Sequence, residues 1–264
     1  MGDIIAVTNQ KGGVGKTTTC VNLAASLAAE DRRVLVVDLD PQGNATTGCG
    51  VDRESLEHTT CDMLLGDALA KDTILQVEKG GFWILPGNAD LTVAEVRLLQ
   101  EIGREMRLRQ ALEPVAGLYD YVLIDCPPTI NMLTLNALTA ASGALIPIQC
   151  EYYALEGLSA LLETVKQVRN TVNHTLEIRG LLRTMYDPRN KLAQEVSEQL
   201  LHHFGDRVYK TVIPRNVRLA EAPSFGVPAL LHDRNSRGAK AYSALAREVI
   251  ERDTASAAAL ANSG

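Results

Sequence analysis

The residues Asn9-Gln10-Lys11-Gly12-Gly13-Val14-Gly15-Lys16-Thr17-Thr18-Thr19 lie between an apolar run, Ile4 to Val7, and an alanine-rich helical pattern. A glycine loop between strand and helix is where a nucleotide phosphate binds. Gly12, Gly13, Val14 and Gly15 let successive backbone amides turn inward around an anion. Lys16 can reach the terminal phosphates, the Thr17 hydroxyl can ligate magnesium, and Thr18 continues a helix start whose dipole favours negative charge. The usual phosphate-loop pattern has glycine where Gln10 stands, and a second lysine, Lys11, opens the loop. Two lysines are more positive charge than one nucleotide site needs. One of them therefore points to a different site.

Acids with matching chemistry follow. The apolar run Val34 to Val37 leads into Asp38-Leu39-Asp40-Pro41-Gln42-Gly43-Asn44. Asp38 and Asp40 share a face by the two-residue period of a strand, and two carboxylates there can hold magnesium's water shell or orient an attacking water. Tyr121-Val122-Leu123-Ile124-Asp125-Cys126-Pro127-Pro128 is a second apolar strand ending in an acid. Its pattern suits an acid in the coordination sphere of a nucleotide's magnesium, and the paired prolines force a rigid, non-helical exit.

Elements must position these groups, and the 264-residue chain supplies them in alternation. Ile4 to Val7 reads as a strand and Thr17 to Ala29 as a helix; Val34 to Val37 and Trp83 to Leu85 are strands, and Leu91 to Leu112 is a helix. Strand Tyr121 to Ile124 precedes helix Leu133 to Ala141; strand Ala144 to Ile148 precedes helix Leu155 to Val168. Strand Ile178 to Leu182, helix Leu192 to Phe204, strand Val208 to Ile213 and a helix near Ala239 to Ile250 complete the series. This predicts a doubly wound α/β fold, a mainly parallel twisted sheet flanked by helices, as one domain over 1–253. The tail over 254–264, small and polar, reads as frayed. Ligands in such sheets bind beyond the carboxyl ends of strands, where the glycine loop lies.

Composition narrows the class. No apolar stretch of about 18 or more residues and no signal-peptide order is present, so a cytoplasmic chain is expected. Cys20, Cys49, Cys61, Cys126 and Cys150 contain no Cys-x-x-Cys pair and read as reduced thiols. His58, His174, His202, His203 and His232 have no metal spacing, and Trp83 reads as core. Net charge is -6, unevenly distributed. From Arg207 to Lys240 there are seven cations and two acids, a local +5, against -11 for the remainder. Such asymmetry can place one basic face on an acidic body, the footprint of a phosphate-backbone binder.

The sequences at 11–19, 38–44 and 124–128 resemble the deviant Walker A, Walker A′ and Walker B elements of the ParA/MinD ATPases. Gln149-Cys150-Glu151-Tyr152-Tyr153-Ala154-Leu155-Glu156-Gly157 and Val212-Ile213-Pro214-Arg215-Asn216-Val217-Arg218-Leu219-Ala220-Glu221-Ala222-Pro223 resemble its chromosomal ParA branch, also called Soj. The resemblance runs in order along nearly the whole chain; Cys49 to Gly81 adds nothing to it. It implies ATP and Mg2+ as cofactors, a homodimer when ATP-bound, and non-specific binding of double-stranded DNA at the nucleoid. It also implies slow hydrolysis stimulated by a ParB-type centromere-binding partner, and no membrane.

Residue by residue, Lys11 matches the signature lysine that crosses an ATP-sandwiched dimer to the partner's nucleotide. Lys16 and Thr17 match the intrinsic phosphate lysine and the magnesium ligand, and Asp40 the acid that positions the hydrolytic water. Asp38 matches a magnesium-shell or structural partner, Pro214 and Asn216 the adenine contacts, and Glu151 a residue near the nucleotide across the dimer. Arg189 and Arg218 match basic positions implicated in DNA binding, joined by Arg215, Arg237 and Lys240 of the basic segment.

Rival readings make different demands. A membrane-cycling MinD type should end in a basic amphipathic helix, and Ala255 to Asn262 has no cation. An iron–sulfur ATPase of nitrogenase-reductase type needs a second cysteine to accompany Cys126. A scaffold whose hydrolysis is incidental should show no stimulation by DNA and partner. The first strand begins near Met1, so the operator binding of longer plasmid relatives is not expected. Arg183, in a strand that should be buried, has no explanation at this level.

Overall fold

The computed structural model describes residues 2–261. Strand β1 is Asp3–Val7, helix α1 Lys16–Ala28, β2 Val34–Asp38, α2 Asn44–Gly48, α3 Thr60–Leu65 and α4 Ala70–Thr73. Next come β3 Leu75–Val77, β4 Phe82–Leu85, α5 Leu91–Leu98, α6 Arg107–Ala116, β5 Tyr121–Asp125 and α7 Met132–Ala140. The chain continues through β6 Gly143–Gln149, α8 Ala154–Thr171, β7 Glu177–Thr184 and α9 Lys191–Phe204. Helices α10 Val217–Glu221, α11 Ala229–His232 and α12 Arg237–Ala261 follow.

The strands form a single seven-stranded sheet in the order β3-β4-β2-β5-β1-β6-β7, parallel except for the antiparallel β3–β4 pair at one edge. Alternation decides what each face buries. Ile4 and Ala6 of β1, with Leu35 and Val37 of β2, join the core under α5 to α9. Ile5 and Val7, with Val34 and Val36, join the core under α1 and α12. Both faces are apolar because both are covered, as parallel strands joined by crossover helices require. The doubly wound α/β reading therefore holds.

Four readings change. The helix expected over Leu91 to Leu112 is two helices, because Gly103 takes a left-handed backbone (φ 67°) and a 3-10 turn follows before α6. The segment expected as strand Val208 to Ile213 runs beside β7 but pairs with it irregularly, through the bridges Leu181–Val208 and Tyr186–Pro214 and the Ile213 amide, which donates to the Arg183 carbonyl at 2.9 Å. Two of its amides have another partner: those of Lys210 and Thr211 donate to the two carboxylate oxygens of Glu248 on α12, each at 2.8 Å. Helix α12 extends to Ala261, past the frayed tail expected from 254, while 262–264 lie outside the described residues. The uninformative stretch from Cys49 to Gly81 supplies α3, α4 and β3.

Arg183 also acquires a reason. It is 8% exposed and donates to Ser197 Oγ at 2.9 Å and to the carbonyls of Tyr209 and Lys210 at 3.0 and 3.2 Å. It thus pins β7 to α9 and to the segment that makes no regular ladder. A buried polar side chain is tolerated when it satisfies carbonyls that would otherwise be stranded.

Candidate functional site

The strand order brings the glycine loop and the acids together. Strand β5 lies between β1 and β2, and Asp125 at its end is in register with Val7 on one side and Asp38 on the other. The loop leaves β1, Asp40 follows β2, and Glu151 follows β6 on the other flank of β1.

Neighbouring strands brace the loop. Asn9 Nδ2 donates to the Pro147 carbonyl of β6 at 2.7 Å, and the Asn9 side-chain oxygen accepts the Lys11 amide at 3.0 Å. Thr184 Oγ1, at the end of β7, donates to the Val14 carbonyl at 2.8 Å. Gly13 and Gly15 hold left-handed backbones (φ 74° and 90°), a shape other residues adopt only under strain. A Cβ added at Gly12 or Gly13 would meet nothing within 4 Å, so open space adjoins the loop at both glycines. Gly15 caps α1 without any side chain, and the first amides of the helix keep their capacity for an anion.

The two lysines point to different places. Lys16 is 7% exposed, and its Nζ donates to the Lys11 carbonyl at 3.2 Å across the loop. Burial lowers its pKa, opposed by Asp125 and Asp40. Lys11 has a side chain 43% exposed, and its Nζ turns to a carboxylate oxygen of Glu151.

The three acids differ in occupation. Both oxygens of Asp38 are taken by protein donors: Oδ2 by the Thr46 amide and hydroxyl at 2.8 and 2.7 Å, Oδ1 by the Asp40 amide at 3.3 Å. Burial raises its pKa to about 6. Of its two sequence roles, the structural one is what these contacts display. Asp125 is fully buried, and its Oδ2 has no hydrogen-bond partner. Burial and then the nearby Asp38 push its pKa well above the carboxylate range, against Thr17 and Lys16, which lower it. Asp40, 7% exposed, accepts the Gln42 amide at 2.9 Å on one oxygen.

Pro214 forms the bridge to Tyr186, just beyond the carboxyl end of β7, and Asn216 follows two residues later. The side-chain oxygen of Asn216 is buried without a partner. A cavity of about 300 Å³ lies beside the start of α1, lined by Thr17, Thr18, Asn44, Thr47 and Pro223 among others.

The basic segment does not make one continuous face. Arg207 lies near Glu177 at the amino end of β7, far along the strand from Arg215. Arg189 pairs with Asp187 at 2.8 Å; that pairing, with a smaller contribution from Arg237, lowers the Asp187 pKa to about 2. Arg189 and Arg237 therefore flank one acid. Both acids of the basic segment converge on Arg218, Glu221 at 2.7 Å and Asp233 at 3.4 Å. Lys240 lines a cavity with Arg234 and Arg247 beside the end of α1. Arg215 is exposed and has no ion pair among the described residues.

Sequence spacing missed the braces: Asn9, Thr46 and Thr184 act through long-range contacts that carry no local signature.

A glycine loop opening a helix, an acid with an unsatisfied oxygen on the adjacent strand and a doubly wound parallel sheet define a P-loop nucleotide-binding protein. A family described as an AAA domain matches residues 2–178. The chain is 51% identical over 252 residues to the chromosome partitioning protein ParA of Caulobacter vibrioides, covering 95% of this chain and 94% of that protein. It is 54% identical over 249 residues to the sporulation initiation inhibitor protein Soj of Bacillus subtilis, covering 94% and 98%. A solved structure titled cobyrinic acid a,c-diamide synthase of Mycobacterium smegmatis, with bound ADP and magnesium, superposes with a TM-score of 0.82 at 38% identity, covering 94% and 93%. The chain belongs to the ParA/Soj family of chromosome-partitioning P-loop ATPases.

Proposed function

We propose that this protein is an ATP-dependent DNA-partitioning ATPase: ATP drives two copies into a sandwich, the dimer coats DNA without regard to sequence, and hydrolysis stimulated by a ParB-type partner releases it. The carrying observation is the divergence of the two lysines. Lys16 is buried within its own loop, whereas Lys11 is half exposed and directed out of it. A lysine that neutralises a second copy's phosphates makes association conditional on nucleotide, since without that charge two cationic loops repel.

In this reading the loop amides and Lys16 hold the phosphates, and Thr17 with Asp125 Oδ2 would hold Mg2+, which supplies charge neutralisation when bound. The unsatisfied buried oxygen and the open space at Gly12 and Gly13 suit those ligands. Asp40 orients the attacking water. The Asn216 oxygen accepts from the adenine amino group while Pro214 packs on the ring. A single positioned acid predicts slow turnover until a partner completes the site. Arg189, Arg215, Arg218, Arg237 and Lys240 contribute phosphate contacts, doubled by dimerisation. Among the described residues no helix is long and apolar enough to cross a membrane.

Sedimentation with a non-hydrolysable ATP analogue tests the reading. Lys11→Ala should bind the nucleotide and stay monomeric; an ATP-dependent dimer of that variant would overturn the role of Lys11.

A further inference from the structure

The partner of Lys11 within its own chain has a consequence of its own. Lys11 Nζ is ion-paired to Glu151 Oε2, bridging the glycine loop after β1 to the turn after β6. The Lys11 main chain is fixed independently: its amide donates to Asn9 and its carbonyl accepts from Lys16. Only the side chain is free to choose a partner. Glu151 is similarly held by its backbone, its amide donating to the Gln149 carbonyl and its own carbonyl accepting from the Ala154 amide, both bonds near 2.8–2.9 Å. Beside it Tyr152 and Tyr153 stand 75% and 68% exposed, in edge-to-face contact with each other at 5.0 Å. The pair therefore sits on an exposed apolar-and-charged rim next to the phosphate loop.

We propose that Glu151 is a positioning residue that parks Lys11 in the single chain, so that assembly of two copies is an exchange of Lys11 from Glu151 to the other copy's nucleotide. The inference rests on the reading of Lys11 given above. Its content is competition. One carboxylate carries a single negative charge, and Lys11 leaves it only for a denser anion. A triphosphate offers one; a diphosphate, with a phosphate fewer, competes less well. The intrachain pair thus raises the threshold for assembly and sharpens the difference between the two nucleotide states.

Magnitude follows from exposure and symmetry. Both side chains are a little under half exposed, 43% and 46%. Ion pairs of that kind shift an equilibrium by about 1.4- to 5-fold. A two-fold symmetric dimer breaks two of them, so the effects multiply to about 2- to 25-fold in the dimer dissociation constant. Released Glu151 is not stranded, because water reaches it.

Two measurements test this on the full-length protein. Glu151→Gln should tighten dimerisation with the ATP analogue by about 2- to 25-fold in sedimentation equilibrium, and should narrow the gap between ATP analogue and ADP. An unchanged or weaker dimer would overturn the parking role; a weaker one would instead place Glu151 at the nucleotide across the interface. A water-soluble carbodiimide, which joins a carboxylate to an amine with loss of water, should link Lys11 to Glu151 within one chain when nucleotide is absent. Peptide mass spectrometry should find that link suppressed by the magnesium–ATP analogue. A link of equal yield with and without the analogue would contradict the exchange. Lys11→Ala separates the two claims. If it dimerises, the reading of Lys11 fails; if it stays monomeric while Glu151→Gln behaves as the parent, the parking of Lys11 alone fails.

Discussion

Asp38 and Asp125 are neighbours in register at the ends of adjacent strands, both fully buried, yet their oxygens are occupied differently. Asp38 accepts three hydrogen bonds and through Thr46, whose hydroxyl accepts the Gly87 amide at 2.8 Å, organises the turn that carries Asp40. Asp125 leaves one oxygen without a donor. Replacing Asp38 by Asn would set an amide against the donors of Thr46, and a buried mismatch of that kind costs about 1–3 kcal/mol; urea unfolding of Asp38→Asn without nucleotide should show that loss. Asp125→Asn should leave the nucleotide-free protein as stable as the parent or more so, because it removes repulsion from a crowded acidic pocket. Its thermal stabilisation by magnesium–ATP should vanish. Equal destabilisation by both substitutions would contradict the division of labour. At this scale the placement of Lys11, Lys16, Thr17, Asp40 and Asp125 beside strand ends is legible in the sequence because motif spacing fixes it. The split between Asp38 and Asp125 was not, since it depends on Thr46 and on which oxygen finds a donor. Arg183 was equally opaque, as its acceptors lie 26 and 27 residues away.

Parallel strands and their crossover helices announced themselves because each apolar run is short, bounded and followed by a helical pattern. The departures have local causes. Gly103 in a left-handed backbone divides α5 from α6 within an otherwise continuous apolar pattern. Val208 to Ile213 has strand composition, but the side chain of Glu248 takes two of its amides, and Pro214 has none to give. Arg183 substitutes for the missing ladder. Arg183→Ala should therefore lower stability by about 2–4 kcal/mol in urea unfolding, from stranded carbonyls and a vacated buried volume. Amide exchange should accelerate first over 208–213. A loss under about 0.5 kcal/mol, as for an ordinary surface change, would show that β7 and its neighbour hold together without the guanidinium.

At the scale of the molecule, the local excess of positive charge visible in the sequence is distributed over separate places: Arg189 with Arg237 around Asp187, Arg218 between two acids, and Lys240 with Arg234 in a cavity. One chain therefore offers few free cations in any one direction, and Arg218 enters already paired. Two copies joined at their phosphate loops would double those contacts. Because each neutralised phosphate contributes about 0.9 to the slope of log affinity against log salt, a dimer that doubles the contacts also doubles the slope. The proposed function links the residue, the sheet and the assembly: Lys11 would gate the dimer, the β1–β5–β2 order brings the glycine loop and the acids together, and the paired basic clusters would become a DNA surface only together. The most direct test is retention of the full-length protein on non-specific double-stranded DNA across a salt series with ATP analogue, ADP and no nucleotide. Tight binding confined to the ATP state, with about twice the salt slope of the other two states, is the expected result. Equal affinity and equal slope in all three states would contradict nucleotide-gated assembly as the source of DNA binding.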